Sequence, residues 1–293
     1  MNEAIAKAHA LTEAYQYILR FRDKTVVVKV GGSIMDEPHT LNQLLADICF
    51  MHAVGMRPIL VHGGGNGITE QMRRVGLEAQ FVQGRRYTDE RTLAIVEHVL
   101  VEKINAQIVE QIVALGPRAM GLHSLSSCAV FASRLFLADP DDSGRKIDLG
   151  YVGQVDWVNG ELLMALVEAG KVPVIAPIAR DSSGGKLNVN ADSVAGHVAS
   201  VVSAEKLVLV SDTHGIRTSP DPDSLATHLT KSQIEQLIEK QVITAGMLPK
   251  VEASITALEA GVAKAHIIDG RIPHSLMLEI YTGDGIGTEI VLS

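Results

Sequence analysis

The chain has 293 residues, 46% of them hydrophobic and 20% charged, with a formal net charge of −8. That length fits one large α/β domain or two lobes sharing a crevice. The acidic balance argues against nucleic acid and anionic membranes as main partners, and aromatics at 4% are too sparse for a base-stacking platform.

Residues 2–21 place Ile5, Ala8, Leu11, Tyr15, Ile18 and Leu19 at three- and four-residue steps, which predicts a helix ahead of the main fold. Residues 25–30 are almost all β-branched and run into Gly31, as a buried parallel strand does. A helical pattern at 41–54 and a second apolar strand at 57–61, ending in His62-Gly63-Gly64-Gly65-Asn66-Gly67, complete two strand–glycine–helix units. Such alternation predicts a parallel sheet with crossover helices. Residues 91–115 read as one long helix without proline or glycine. Shorter strands or hairpin arms follow at 129–137 and 150–157, with an exposed turn at 139–144.

Further on, 171–178 reads as a strand, 181–185 as a turn, and 192–203 as a helix of small residues. A strand at 207–210 ends in Ser211-Asp212, and 219–223 is a proline-containing loop. Helices at 231–239 and 251–261 and strands at 265–268 and 289–292 close the chain. Cys49 and Cys128 give neither a disulfide framework nor a metal cluster and read as inert thiols. No run reaches the ~18 apolar residues of a membrane span. The first ten residues carry Glu3 and Lys7 rather than a long apolar signal core, so a soluble cytoplasmic protein is expected.

Chemistry concentrates at the glycines. Glycine turns after strands leave N–H groups open to an oxyanion, and Lys29 and Lys250 add compact positive charge beside Gly31-Gly32-Ser33 and Gly246-Met247-Leu248-Pro249. Two such lysines suit a phosphoryl group passed between oxygens. GxxxxGK[ST] is absent, and no clean GxGxxG follows the first strand, which disfavours a P-loop kinase or a dehydrogenase. Each glycine cluster alone is weak, since strand-end glycines are often only tight turns.

Taken in order, Lys29-x-Gly-Gly-Ser, the His62 glycine turn, Gly84-Arg85-Arg86-Tyr87-Thr88-Asp89, Asn188-Val189-Asn190-Ala191-Asp192 and Gly246-x-x-Pro-Lys250-Val-Glu-Ala form a much more specific set. Together with His266-Ile-Ile-Asp-Gly-Arg271 they resemble the amino acid kinase family, and within it the N-acetyl-L-glutamate kinase branch. The resemblance runs from about residue 11 to the C-terminus. It implies an open, mostly parallel sheet sandwiched by helices. Residues 1–22 would be an oligomerisation helix, 23–203 a lobe for the acyl amino acid and dimerisation, and 204–293 a nucleotide lobe.

The implied reaction is phosphorylation of the γ-carboxylate of N-acetyl-L-glutamate by ATP in arginine biosynthesis, with Mg2+ carried on the ATP phosphates and no protein metal site. By the same resemblance Lys29 and Lys250 meet the transferring phosphoryl group, and Asp192 orients both. Backbone N–H groups of Gly31, Gly32, Gly64 and Gly65 would steady its oxygens. Gly64, Gly65, Arg86 and Asn188 grip the acyl substrate, while Ser211, Asp212 and Gly215 join the lysines at the nucleotide. His62 is read as structural, and His214 as an exposed loop residue rather than a nucleotide contact.

An N-terminal helix ahead of the first strand resembles that of the arginine-inhibited members, with Tyr17, His266, Glu279 and Gly285 where arginine binds. In those members helices from neighbouring homodimers interlace into a trimer of dimers. Gln16 replaces the usual helix proline, so a less kinked helix is expected, and Thr213 and His214 depart from the usual nucleotide segment. Val30 and Tyr87 resemble kinases of carrier-linked α-aminoadipate more closely. That enzyme and a non-catalytic amino-acid sensor are the alternatives, the latter set against the presence of Lys29, Asp192 and Lys250.

Overall fold

In the computed structural model, which describes residues 1–139, 142, 144–219, 221, 224–243, 246–283 and 285–293, helix α1 (Asn2–Phe21) runs unbroken through Gln16. Strand β1 (Thr25–Val30) is buried at every position, as its β-branched sequence requires. A 3₁₀ turn (Gly32–Asp36) leads to α2 (Pro38–Ala53), β2 (Arg57–His62) and α3 (Gly65–Arg74). A small hairpin, β3 (Phe81–Val82) and β4 (Arg85–Arg86), carries the arginine pair.

The single helix expected over 91–115 is three consecutive segments: α4 (Glu90–Glu97), a π-helix (His98–Asn105) and α5 (Ala106–Ala114). The wider π-turn bonds i to i+5, so Leu100 and Asn105 share one buried face. Composition alone does not announce such a turn, because every residue in it also suits an α-helix.

After β5 (Arg118–Leu122), β6 (Val130–Ala138) and β7 (Lys146–Val158) form one antiparallel hairpin with two register shifts. The turn expected at 139–144 and the proline loop at 219–223 lie partly outside the described residues. Helix α6 (Gly160–Glu168) then precedes β8 (Lys171–Ile175). The strand expected over 171–178 stops there, because Pro177 has no N–H for the ladder, and β9 (Ile178–Arg180) joins a different sheet. Strand β10 (Lys186–Val189) and α7 (Ala191–Val201) follow, then β11 (Lys206–Ser211) and β12 (His228–Thr230). Helices α8 (Lys231–Glu239) and α9 (Leu248–Glu259) lead to β13 (Lys264–Asp269), α10 (Ser275–Tyr281) and β14 (Thr288–Val291).

Eight strands form one sheet in the order β12-β14-β13-β11-β1-β2-β8-β5, while β10, β7, β6 and β9 close a small barrel beside it. The six strands from β13 to β5 are parallel, and β14 pairs antiparallel to β13. The sheet is continuous across residues 203 and 204, since β11 pairs with β1 in register Lys29↔Leu209. Successive strand residues face opposite sides. Val26, Val28 and Val30 therefore pack with α2 and α10, while Val27 packs with α7 and α9. Lys29 shares the face of Val27, and this parity carries its side chain toward α7.

Candidate active site

Asp192 stands in the first turn of α7, a helix capped by Asn190, whose Oδ1 accepts from the Ser193 N–H at 3.0 Å. Lys250 stands in the first turn of α9, where Pro249 loses only an N–H that has no intrahelical partner. These elements bring three charges together. Lys29 Nζ lies 2.8 Å from Asp192 Oδ1, and Lys250 Nζ lies 3.4 Å from Asp192 Oδ2.

Lys29 and Asp192 are each only 5% exposed. Burial, with Lys250 nearby, pulls the Lys29 ammonium below its ordinary 10.5 in spite of Asp192. Burial alone would raise the Asp192 carboxyl above 3.8, but Lys29 and Lys250 outweigh it and hold it lower. Two cations share one carboxylate, so the cluster keeps a net positive charge. Lys29 and Asp192 line a cleft of about 240 Å³ with the glycine turns, Arg86 and Asn188.

Gly32 takes φ +63°, a backbone conformation open to glycine, and begins the 3₁₀ turn, while Gly65 begins α3. The first N–H groups of a helical segment have no intrahelical acceptor and are available to an anion. Gly31 corrects one expectation. Its N–H donates to Val210 O at 3.3 Å, because the β1–β11 ladder continues one residue past the strand, so it is no free donor to a phosphate.

Arg86 is buried, and its Nη2 donates to Gly65 O at 2.9 Å and Thr69 Oγ1 at 2.7 Å, with the guanidinium 4.8 Å above the Phe81 ring. No carboxylate among the described residues pairs with it. A buried guanidinium without a counter-ion attracts a ligand carboxylate. Asn188 donates from Nδ2 to Thr88 Oγ1 at 3.1 Å, and Thr88 Oγ1 donates in turn to Arg86 O at 3.0 Å. Val30 faces the opposite core, and Tyr87 is 38% exposed; neither lines the cleft.

A larger cleft of about 920 Å³ is lined by Asp212, His214, Gly215, Met247 and Arg271. Asp212 Oδ2 accepts from Ser33 Oγ at 3.1 Å, which ties this cleft to the first glycine turn. Ser211 does not line it; its buried hydroxyl lies 3.4 Å from Asp212 Oδ1 and supports that residue instead. His214, read from sequence as a plain loop residue, has Nδ1 3.0 Å from Oδ2 of the buried Asp269, which also pairs with Arg271 at 2.7 Å. Sequence reading did not mark Thr69, Thr88 as a hydrogen-bond partner, or this Asp269 pairing. Only the fold brings these groups together.

The third set lies elsewhere. Tyr17, His266, Glu279 and Gly285 line a cavity of about 370 Å³ between α1, α10 and strands β13 and β14, with Arg20, Lys206, Lys264 and Glu289. Glu279 Oε1 lies 2.5 Å from His266 Nδ1, and its Oε2 accepts from the Ile286 N–H at 2.9 Å. Burial would raise the Glu279 carboxyl, but His266 and Lys206 keep it below its ordinary 4.5. Glu289 pairs with Lys264 at 2.6 Å and His228 at 3.1 Å.

Comparison with known proteins places this geometry. Residues 24–269 match the model of the amino acid kinase family. The acetylglutamate kinase of Symbiobacterium thermophilum is 45% identical over 291 residues, covering 99% of either chain. That of Methanothrix thermoacetophila is 44% identical over 285 residues, covering 97% of this chain and 98% of its own. Among solved structures, N-acetylglutamate synthase from Neisseria gonorrhoeae with coenzyme A and N-acetyl-glutamate superposes at a TM-score of 0.86 and 25% identity. That match covers 98% of this chain and 63% of the synthase. The same synthase with coenzyme A and L-arginine superposes at 0.81 over 98% of this chain and 65% of its own.

Proposed function

The chain belongs to the amino acid kinase family, and from that premise we propose that it phosphorylates the γ-carboxylate of N-acetyl-L-glutamate with ATP in arginine biosynthesis. The observation that carries this reading is the buried Lys29–Asp192–Lys250 cluster, beside an unpaired Arg86. Relatives at 44–45% identity over nearly their full length are acetylglutamate kinases.

The acceptor carboxylate is already ionised at neutral pH, so no general base is required. Its oxygen attacks the γ-phosphorus, the bond to the bridging oxygen breaks, and the electron pair leaves with ADP. Negative charge shifts toward the leaving oxygen and spreads over the transferring group. Lys29 meets that group from the strand side and Lys250 from the nucleotide side, while Asp192 holds both ammonium groups in place. The N–H groups of Gly32, Gly64 and Gly65 add donors without any change in protonation. Arg86 grips the α-carboxylate of the substrate, with Asn188 beside it. Asp212 and Gly215 belong to the nucleotide cleft. Both Asp192 oxygens are engaged by lysines, so magnesium is assigned to the ATP phosphates on which it arrives.

We further propose that the cavity at Glu279 takes arginine as a feedback inhibitor. Its support is a buried carboxylate suited to a guanidinium, together with a structural relative solved with L-arginine. Leu11, Tyr15 and Leu19 are exposed on α1, which supports pairing of that helix with another copy in a trimer of dimers. No helix among the described residues is long and apolar enough to cross a membrane, and we place the enzyme in the cytoplasm, where its ATP is made.

The test is a coupled ADP-release assay with ATP, magnesium and N-acetyl-L-glutamate, with and without arginine. Saturable turnover suppressed by arginine is expected. No turnover in a sample that binds ATP would refute the acceptor, and a dimeric mass with arginine-insensitive turnover would refute the regulation.

A further inference from the structure

The mechanism uses the glycine turn after β2 but leaves open what aims it. His62, the last residue of β2, is fully buried. Its Nδ1 lies 2.9 Å from Gly63 O, and its Nε2 lies 3.1 Å from Asn105 Nδ2. Asn105 is 2% exposed at the end of the π-helix, and the same Nδ2 donates to Val174 O on β8 at 2.9 Å.

The donors and acceptors determine one arrangement. A carbonyl oxygen only accepts, so Val174 O requires the Asn105 amide nitrogen rather than its oxygen. Gly63 O likewise requires a proton on His62 Nδ1. Both amide hydrogens of Asn105 are then used, one on Val174 O and one on the Nε2 lone pair. The imidazole is neutral, with its proton on Nδ1, and burial agrees by pushing its pKa down to about 4.

This network has a consequence for catalysis because Gly63 C=O and Gly64 N–H belong to one planar trans peptide unit, in which they point opposite ways. The His62 proton on Gly63 O therefore aims the Gly64 N–H. The next peptide, which carries the Gly65 N–H, is held separately, by the Ile68 N–H donating to Gly64 O at 3.0 Å. Gly63 N–H is fixed as well, donating to Val30 O at 2.7 Å. The π-helix seals the other side: a Cβ on Gly64 would lie 2.6 Å from Leu100 Cδ2 and 2.7 Å from Ile104 Cδ1.

We propose that Asn105, acting through the His62 imidazole, is the positioning residue that fixes the Gly63 peptide and so aims the Gly64 N–H group at the transferring phosphoryl group. The role rests on the phosphoryl-transfer reading above. It also gives the π-turn a purpose, since it sets Leu100, Ile104 and Asn105 around one glycine turn.

The test is Asn105→Leu, which removes both donors while leaving a side chain of similar size in place. Rates are expressed per ATP-binding site counted by calorimetry, so a loss of folded protein does not pass for a loss of rate. The expected result is a kcat lower by about 10- to 100-fold with both KM values within threefold, because the misaimed donor acts on the transition state. A kcat within threefold of the unmodified protein overturns the role. So does a KM rise with kcat unchanged.

Nitrogen NMR of labelled histidines in the unmodified full-length protein at neutral pH gives a second readout. His62 should show a neutral ring protonated at Nδ1. A ring protonated at Nε2, or an imidazolium, overturns the proposal even if Asn105→Leu does not fold. Absence of turnover in the unmodified protein refutes the reaction instead, and the ring measurement then still judges the network.

Discussion

The cleft beside Lys29 and the cavity beside Tyr17 both gather buried charges, but they balance them differently. In the cleft, Lys29 and Lys250 share the single carboxylate of Asp192, and Arg86 has neutral partners only. That surplus of positive charge is largely buried. In the cavity both carboxylates are already engaged, Glu279 by His266 and Glu289 by Lys264 and His228, while Arg20 and Lys206 also line it. A region with surplus charge is preorganised for an anion. A region whose carboxylates are already paired takes a ligand that replaces those pairs with its own, as a molecule with both a guanidinium and a carboxylate does.

The largest expected effect breaks the surplus. Lys250→Ala should lower kcat by ~10²- to 10³-fold, the range for removing one transition-state donor, in an ADP-release assay. A loss smaller than tenfold would contradict its role. Next comes Arg86→Ala, with an expected rise of about 10- to 100-fold in KM for N-acetyl-L-glutamate, as for a lost charged hydrogen bond. The KM for ATP should stay within threefold, and an equal rise in both would dissolve the division between acceptor and nucleotide clefts. On the paired side, Glu279→Gln should raise the arginine concentration for half-inhibition about tenfold. Unchanged inhibition would remove Glu279 from the effector site.

The smallest effect is a pH dependence. Burial lowers the Lys29 pKa, so kcat/KM for ATP should fall on the alkaline side before pH 10.5, as the free enzyme loses that charge. Asp192 is shifted down from 3.8, so it imposes no acid limb above that pH. For folding the signs separate. The stability from ionised Asp192 is present above its unfolded pKa and lost as pH falls through the lower folded one. The penalty of burying charged Lys29 is relieved as pH rises from its folded pKa toward its unfolded one. An acid limb in kcat/KM near pH 6 would point to a titrating group outside this cluster.

Much of this was legible in the sequence, for reasons that differ by residue. Lys29 could be found because a β-branched run ending in glycines marks the end of a buried parallel strand, where parity then fixes the face. Asp192 and Lys250 stand at helix starts, but nothing local says that they meet; only the resemblance joined them. The Asn105–His62 contact was not legible, since an asparagine within an unbroken helical pattern carries no sign of a π-turn. The small barrel was hidden because β9 and β10 are only three and four residues long. Gly31 shows the reverse case: its motif suggested a free N–H, and the ladder to Val210 had already taken it.

Transfer of a phosphoryl group to a carboxylate of N-acetyl-L-glutamate leaves a distinctive product, an acyl phosphate. Hydroxylamine trapping tests it most directly, because an acyl phosphate gives a hydroxamate and other phosphorylated products do not. With ATP and N-acetyl-L-glutamate, hydroxamate should form in equal amount to ADP, with both falling together in Lys250→Ala. ADP formed without hydroxamate, or at the same rate without the acceptor, would contradict it.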